Sequence, residues 1–308
     1  MRGCRRSFNG ISQLWYNIRL WNVADVKPLR GFNDISQLWY NTAGPCGKKG
    51  NKMFSYDDYR EILRLIKETG RQATYEEALQ KDSFIIMRHD VEYSVERAFA
   101  LSKVEESMDF RSTFFFQWTN NSYNILSRKN RDILTDMHER GQHIGLHFAL
   151  NGMTDMDLIR SRIHQEMDML SNMLGFEVKW FSIHRPSPDV LAENIRIPGL
   201  LNAYQNDFFS FDPKASADSP LEVKYMSDAN HIWRYGYPDA ENIRNHRKIQ
   251  ILAHPFAWTR EGFDDRMNFS TLIDEKYTEM IDSIDNECKD FGQFRDEFDT
   301  VPGRLRKG

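Results

Sequence analysis

The sequence has little cysteine, and what it has is scattered: Cys4, Cys46 and Cys288 stand far apart with no Cys-x-x-Cys spacing. That excludes a disulfide framework and a thiolate zinc site. A reducing compartment fits, so the protein is expected to be cytoplasmic. Long apolar runs are missing too. None approaches the roughly 18 residues that signal a membrane span, and the basic N-terminus lacks the continuous apolar stretch of a secretory signal. Positive charge is not in excess either. A formal net charge of −4 offers no footprint for nucleic acid or an anionic membrane.

What is present is apolar and aromatic material, 40% and 13% of 308 residues, enough to build a real core. Residues 1–52 look foreign to the rest. The segment 8–17, FNGISQLWYN, recurs at 32–41 with one change, ahead of a Gly/Lys-rich stretch. Two copies are too few for a solenoid, which needs about three stacked units. The segment reads as an aromatic docking arm or as a poorly ordered, non-native extension preceding a start at Met53; the second is the expectation. From Met53 the pattern becomes orderly. Tyr59, Ile62, Leu63 and Ile66 fall at helical spacing within 55–69, and apolar strand-like runs at 84–88, 112–116, 143–147 and 178–183 alternate with helical segments at 94–108, 128–140 and 154–174. Further strands are expected at 223–226 and 249–253, and a charged helix within 270–298 packing across the outside. Strand and helix alternating at this spacing imply parallel strands with crossover helices, as in a barrel or a doubly wound sheet. The catalytic domain is expected to span 53–298, with a frayed tail at 299–308.

Four strand-like runs end in polar residues: His89, Asp90 and Glu92 after the first, then His147, His184-Arg185 and His254. The carboxyl ends of parallel strands are where α/β folds bind ligands. Neighbouring residues on a strand point to opposite sides, so His89 and Asp90 cannot both face one centre unless the chain has already turned. Asp90, His147 and His184 together form a mixed histidine–carboxylate set of the kind a catalytic Zn²⁺ takes. Asp228 and Arg234 are candidates to hold a polar substrate or to pair with a catalytic histidine. Trp233 and Trp258 fall in expected loops, where sugar rings can stack on them; capping the core is the alternative.

The runs 88–92 (RHDVE), 141–147 (GQHIGLH), 182–187 (SIHRPS), 225–234 (YMSDANHIWR) and 251–258 (ILAHPFAW) resemble, in order and spacing, the motifs of the polysaccharide deacetylases. These are the NodB-homology group of carbohydrate esterase family 4, and the nearest pattern is the WbmS-like branch associated with surface-polysaccharide biosynthesis. The resemblance covers about residues 53–290. It implies a distorted (β/α)7-type barrel in a single domain around a divalent metal, Zn²⁺, and hydrolysis of an N-acetyl or O-acetyl group on a sugar or glycan intermediate. A sugar deformylase on the same centre, or an inactive carbohydrate-binding barrel, are the alternatives. Residue by residue, it puts Asp90 and His147 on the metal, His254 as the proton donor, and Arg185 as the residue that orients the catalytic carboxylate. His89 occupies the base position. The second ligand histidine of the family falls on Asn151, leaving His184 or Glu92 to fill its place; Glu92 is otherwise expected to contact substrate.

Overall fold

The computed structural model describes residues 54–211, 221–233 and 235–298; the duplicated segment, Arg234 and the tail 299–308 lie outside the described residues. The architecture grows from β1 (Phe84–Val91), whose eight residues are all buried. A strand covered on both faces belongs at the centre of a parallel sheet. Phe84 and Ile86 join one apolar cluster, while Ile85 and Met87 join another. Period-two alternation therefore assigns even-numbered side chains to the concave interior and odd-numbered ones to the outer layer.

Six more strands follow: β2 (Thr113–Phe116), β3 (His143–Ala149), β4 (Trp180–His184), β5 (Leu201–Asn202), β6 (Val223–Ser227) and β7 (Lys248–Ala253). All pairings are parallel, in the order β5-β4-β3-β2-β1-β7-β6. The expected seven-stranded β/α barrel is the observed architecture, curled with β5 and β6 at its edges. Helices α1 (Tyr56–Glu68), α2 (Tyr75–Ala78), α3 (Val95–Ser107), α4 (Arg128–Glu139), α5 (Met156–Leu174), α6 (Pro188–Ala192), α7 (Ala240–Asn245) and α8 (Asp265–Glu287) complete it.

Local chemistry explains why these elements start where they do. Ser55 and Asp58 form a reciprocal capping box at α1, and Ser94 caps α3 through the Arg97 amide. Tyr59, Ile62, Leu63 and Ile66 of α1 then pack against Ile85, Met87, Ile249 and Ile251 from the outside of β1 and β7. Each such buried side chain contributes about 1.5–3 kcal/mol. Inside, Gly145 on β3 leaves room for Phe115 of β2: a Cβ there would lie 2.5 Å from Phe115 Cδ1 and 2.8 Å from the Trp180 carbonyl oxygen. Gln250 of β7 spans the interior, accepting from Tyr75 Oη at 2.8 Å and donating to the carbonyls of Ala203 and Phe208 at 3.1 and 3.0 Å. That side chain ties β7 to the chain just beyond β5, across the floor of the barrel.

Candidate metal and acid–base centre

The interior-facing positions at the carboxyl ends of the strands carry the chemistry. On β3 and β4 these are His147, Ser182 and His184, paired across the ladder as His147 with Ser182 and Ala149 with His184. His147 Nε2 lies 3.1 Å from His184 Nδ1, which lies 3.1 Å from Glu92 Oε1. One donor atom from each of these three residues falls within 4.8 Å of the others. Ligands about 2.0–2.1 Å from a tetrahedral zinc stand about 3.3 Å from one another, close to these separations. Two imidazoles and a carboxylate are also the donor set of a catalytic zinc site with an open position.

Ser182 prepares that set. Its hydroxyl donates to Asp90 Oδ1 at 3.3 Å and meets His147 Nδ1 at 2.7 Å. With the hydroxyl proton directed at the carboxylate, the serine oxygen accepts from Nδ1–H, and Nε2 is left with its lone pair aimed at the centre. This tautomer follows from the hydrogen-bond network. Burial pushes His147 down to about 4, with His184 and Arg88 adding to the effect against Asp90 and Glu92, so the ring is neutral at physiological pH. Glu92 is held below the ordinary carboxylate range: burial opposes this, but the His184 hydrogen bond and the charge of His254 prevail. Asn120 Nδ2 fixes its backbone by donating to the Glu92 carbonyl at 2.9 Å.

Asp90 borders this set, with Oδ2 3.8 Å from His147 Nε2. The same oxygen accepts from Arg88 Nη2 at 2.8 Å, in an ion pair with both side chains almost wholly buried. Burial favours the neutral acid, yet Arg88, His147 and His254 together hold Asp90 well below the usual carboxylate range, and it stays ionised. The Arg88 guanidinium lies 4.3 Å from the centroid of the Tyr204 ring and donates to the Tyr204 hydroxyl at 2.8 Å.

His254 stands immediately after β7, near enough to Glu92 and Asp90 to feel their charges. Its Nδ1 is 2.6 Å from Asp228 Oδ1, and the backbone N–H of His254 donates to the same carboxylate at 3.0 Å. Trp258 Nε1 donates to Asp228 Oδ2 at 2.9 Å. Burial works against a charged imidazole, but Asp228, by charge and hydrogen bond, with Glu92 and Asp90 behind it, raises His254 to about 9. The ring is therefore protonated at neutral pH. Its turn, Pro255–Ala257, is pinned from outside by Arg97 Nη1 and Asn268 Nδ2, both donating to the Phe256 carbonyl at 2.8 Å.

Several residues sit elsewhere than the sequence reading put them. His89 is fully buried on the outer face of β1, against Glu105, Tyr59 and the Ala253 carbonyl, because the strand runs on to Val91 and alternation turns it away from the centre. Trp258 is completely buried beneath Asp228 and offers no face to a sugar; Trp233 is partly buried against Trp258 and Tyr237. Arg185 is exposed, with φ of +49°, and the arginine that holds the carboxylate is Arg88, two residues from Asp90 on the same strand face. Asn151 is exposed, also at positive φ, outside the cluster. Arg234 lies outside the described residues. Sequence reasoning missed Arg88 and Ser182 as working residues, although both occupy interior-facing positions two residues before Asp90 and His184; extending the strand alternation backwards would have found them.

No known family model matches the chain, and no curated protein does. Similar solved structures include family 4 carbohydrate esterases and a pseudoenzyme of that family. A pseudoenzyme of that family from Bacillus anthracis is 12% identical over 63% of this chain and 60% of its own, with a TM-score of 0.36. A family 4 carbohydrate esterase from the same organism is 16% identical over 77% and 89%, with a TM-score of 0.36. One from Streptomyces lividans in complex with acetate is 14% identical over 56% and 79%, at 0.34. The chain spans about three fifths of the length of the pseudoenzyme structures it matches. Among the described residues no helix is long and apolar enough to cross a membrane.

Proposed function

We propose that the protein is a metal-dependent hydrolase that removes an acetyl group, from nitrogen or oxygen, on a sugar of a glycan intermediate. The observation that carries this reading is a centre with two chemically opposite parts: Glu92, His147 and His184 gathered as donors for a divalent cation, and a protonated His254 near enough to feel the charges of Glu92 and Asp90. The motif resemblance described above supplies the substrate class. A bound Zn²⁺ would polarise an acyl carbonyl and lower the pKa of water towards neutrality. Asp90, ionised and adjacent, accepts the attacking water's proton. His254 donates its Nε2 proton to the departing nitrogen or oxygen, while Asp228 on Nδ1 steadies the ring and its charge. Such transfers each accelerate a reaction by about 10²–10⁴-fold. Arg88 keeps Asp90 in the accepting form.

Elemental analysis of the protein purified without chelators, followed by acetate release from a panel of acetylated sugars, tests the reading. Near-stoichiometric zinc and acetate release support it. Formate release from formylated sugars with no acetate would make it a deformylase. No metal uptake and no turnover, even with added zinc, would leave a carbohydrate-binding barrel.

A further inference from the structure

Among the described residues outside the centre, a buried group of hydrogen-bonded titratable side chains lies behind β1. His89 Nε2 meets Glu105 Oε1 at 2.9 Å, Tyr59 Oη donates to the same oxygen at 2.6 Å, and Ser112 Oγ donates to Oε2 at 2.7 Å. His89, Tyr59 and Glu105 are completely buried. The remaining ring atom, His89 Nδ1, lies 3.0 Å from the Ala253 carbonyl oxygen. A carbonyl only accepts, so Nδ1 carries a proton and donates it.

That carbonyl belongs to the peptide unit joining Ala253 to His254. The N–H of the same unit donates to both oxygens of Asp228 at 3.0 Å. We infer that His89 is a positioning residue for the proton donor: it holds the Ala253–His254 peptide by its carbonyl while Asp228 holds the same peptide by its N–H. The plane of that peptide fixes where the His254 side chain leaves the backbone. Glu105, Tyr59 and Phe114, whose ring stacks on His89 at 4.3 Å between centroids, keep the imidazole from rotating. The inference rests on His254 being the acid of the proposed reaction, but the clamp itself does not depend on turnover.

Two conservative variants separate this role from simple packing. In His89→Asn the side-chain amide can replace Nδ1–H towards Ala253. In His89→Gln the amide takes the place of Nε2 towards Glu105 and leaves the carbonyl unpaired. Loss of one such hydrogen bond is expected to speed hydrogen exchange of the His254 amide about five- to tenfold in His89→Gln. Its kcat falls with KM and metal content unchanged, while His89→Asn stays close to wild type in all of these. Equal losses in both variants, or an unaltered His254 amide in His89→Gln, would overturn the inference. In the unmodified protein, a long-range proton–nitrogen spectrum gives a check that needs no variant to fold: a protonated His89 Nδ1 is expected, and a bare one refutes the clamp. If wild type releases no acetate while the two variants still split in amide exchange, the clamp stands and the hydrolase reading falls.

Discussion

Asp228→Asn removes the charge that holds His254 protonated and leaves the shape of the pocket nearly unchanged. In the native protein the imidazole is raised to about 9, so about 97% of it is charged at pH 7.5. Without that carboxylate, burial is the largest remaining influence and draws the histidine down, against the charges of Glu92 and Asp90, back towards its ordinary 6.5. At the ordinary 6.5 only about 9% would be charged at pH 7.5, a tenfold loss of the proton-donating form before any loss of orientation. The alkaline limb of the kcat profile is therefore expected to move from near 9 to below 7, and the His254 resonances should titrate with it in an NMR pH series. Stability follows the same linkage. A histidine raised above its unfolded value stabilises the fold fully below about 6.5, and that contribution is lost as pH climbs through about 9. The shift corresponds to something on the order of 3 kcal/mol, which should appear in wild-type urea unfolding between those pH values and vanish in Asp228→Asn. If the variant's His254 still titrates near 9, the carboxylate is not the cause and the assignment of the acid is wrong.

The other expectations concern the metal side and the frame. Glu92→Ala, His147→Ala and His184→Ala should each lose bound zinc, whereas Asp90→Asn should keep it and lose turnover; zinc lost from Asp90→Asn would make that residue a ligand. Ser182→Ala frees the His147 ring, and metal affinity measured by competition with a chelator should fall about 10–100-fold. Arg88→Met strands a buried carboxylate, so unfolding should become easier by about 3–5 kcal/mol in a denaturant titration. Gly145→Ala forces a methyl into the Phe115 ring and should cost about 1–3 kcal/mol by thermal denaturation, with Phe115→Leu in the same chain recovering part of it.

Much of the frame could be read from the chain alone, because β1 to β4 and their crossover helices carry strong periodicity and clear stops such as Gly70, Gly141 and Gly175. The two-residue β5 is too short to leave a pattern. On α8 Leu272 and Ile281 are buried, while Met280, next to Ile281, is half exposed. The cluster of histidines at strand ends was visible for the same reason as the strands. Its partners were not: Ser182 and Asp90 are 92 residues apart, and Asp228 and Trp258 meet 30 residues apart, with no local pattern to announce either contact. His89 went astray through a boundary. The strand was expected to end near residue 88, and its continuation to Val91 kept the alternation running through both His89 and Asp90.

That continuation makes β1 a ruler with two scales. One face sets Arg88 and Asp90 into the barrel, and the other sets His89 against the outer helices. Deleting a single residue between Phe84 and Met87 would exchange the scales, turning the histidine into the catalytic hollow and driving the aspartate into the apolar layer under Phe114. Length changes can accumulate in the loop before Phe84 without such a swap, whereas within the strand only substitutions that respect each face can be tolerated.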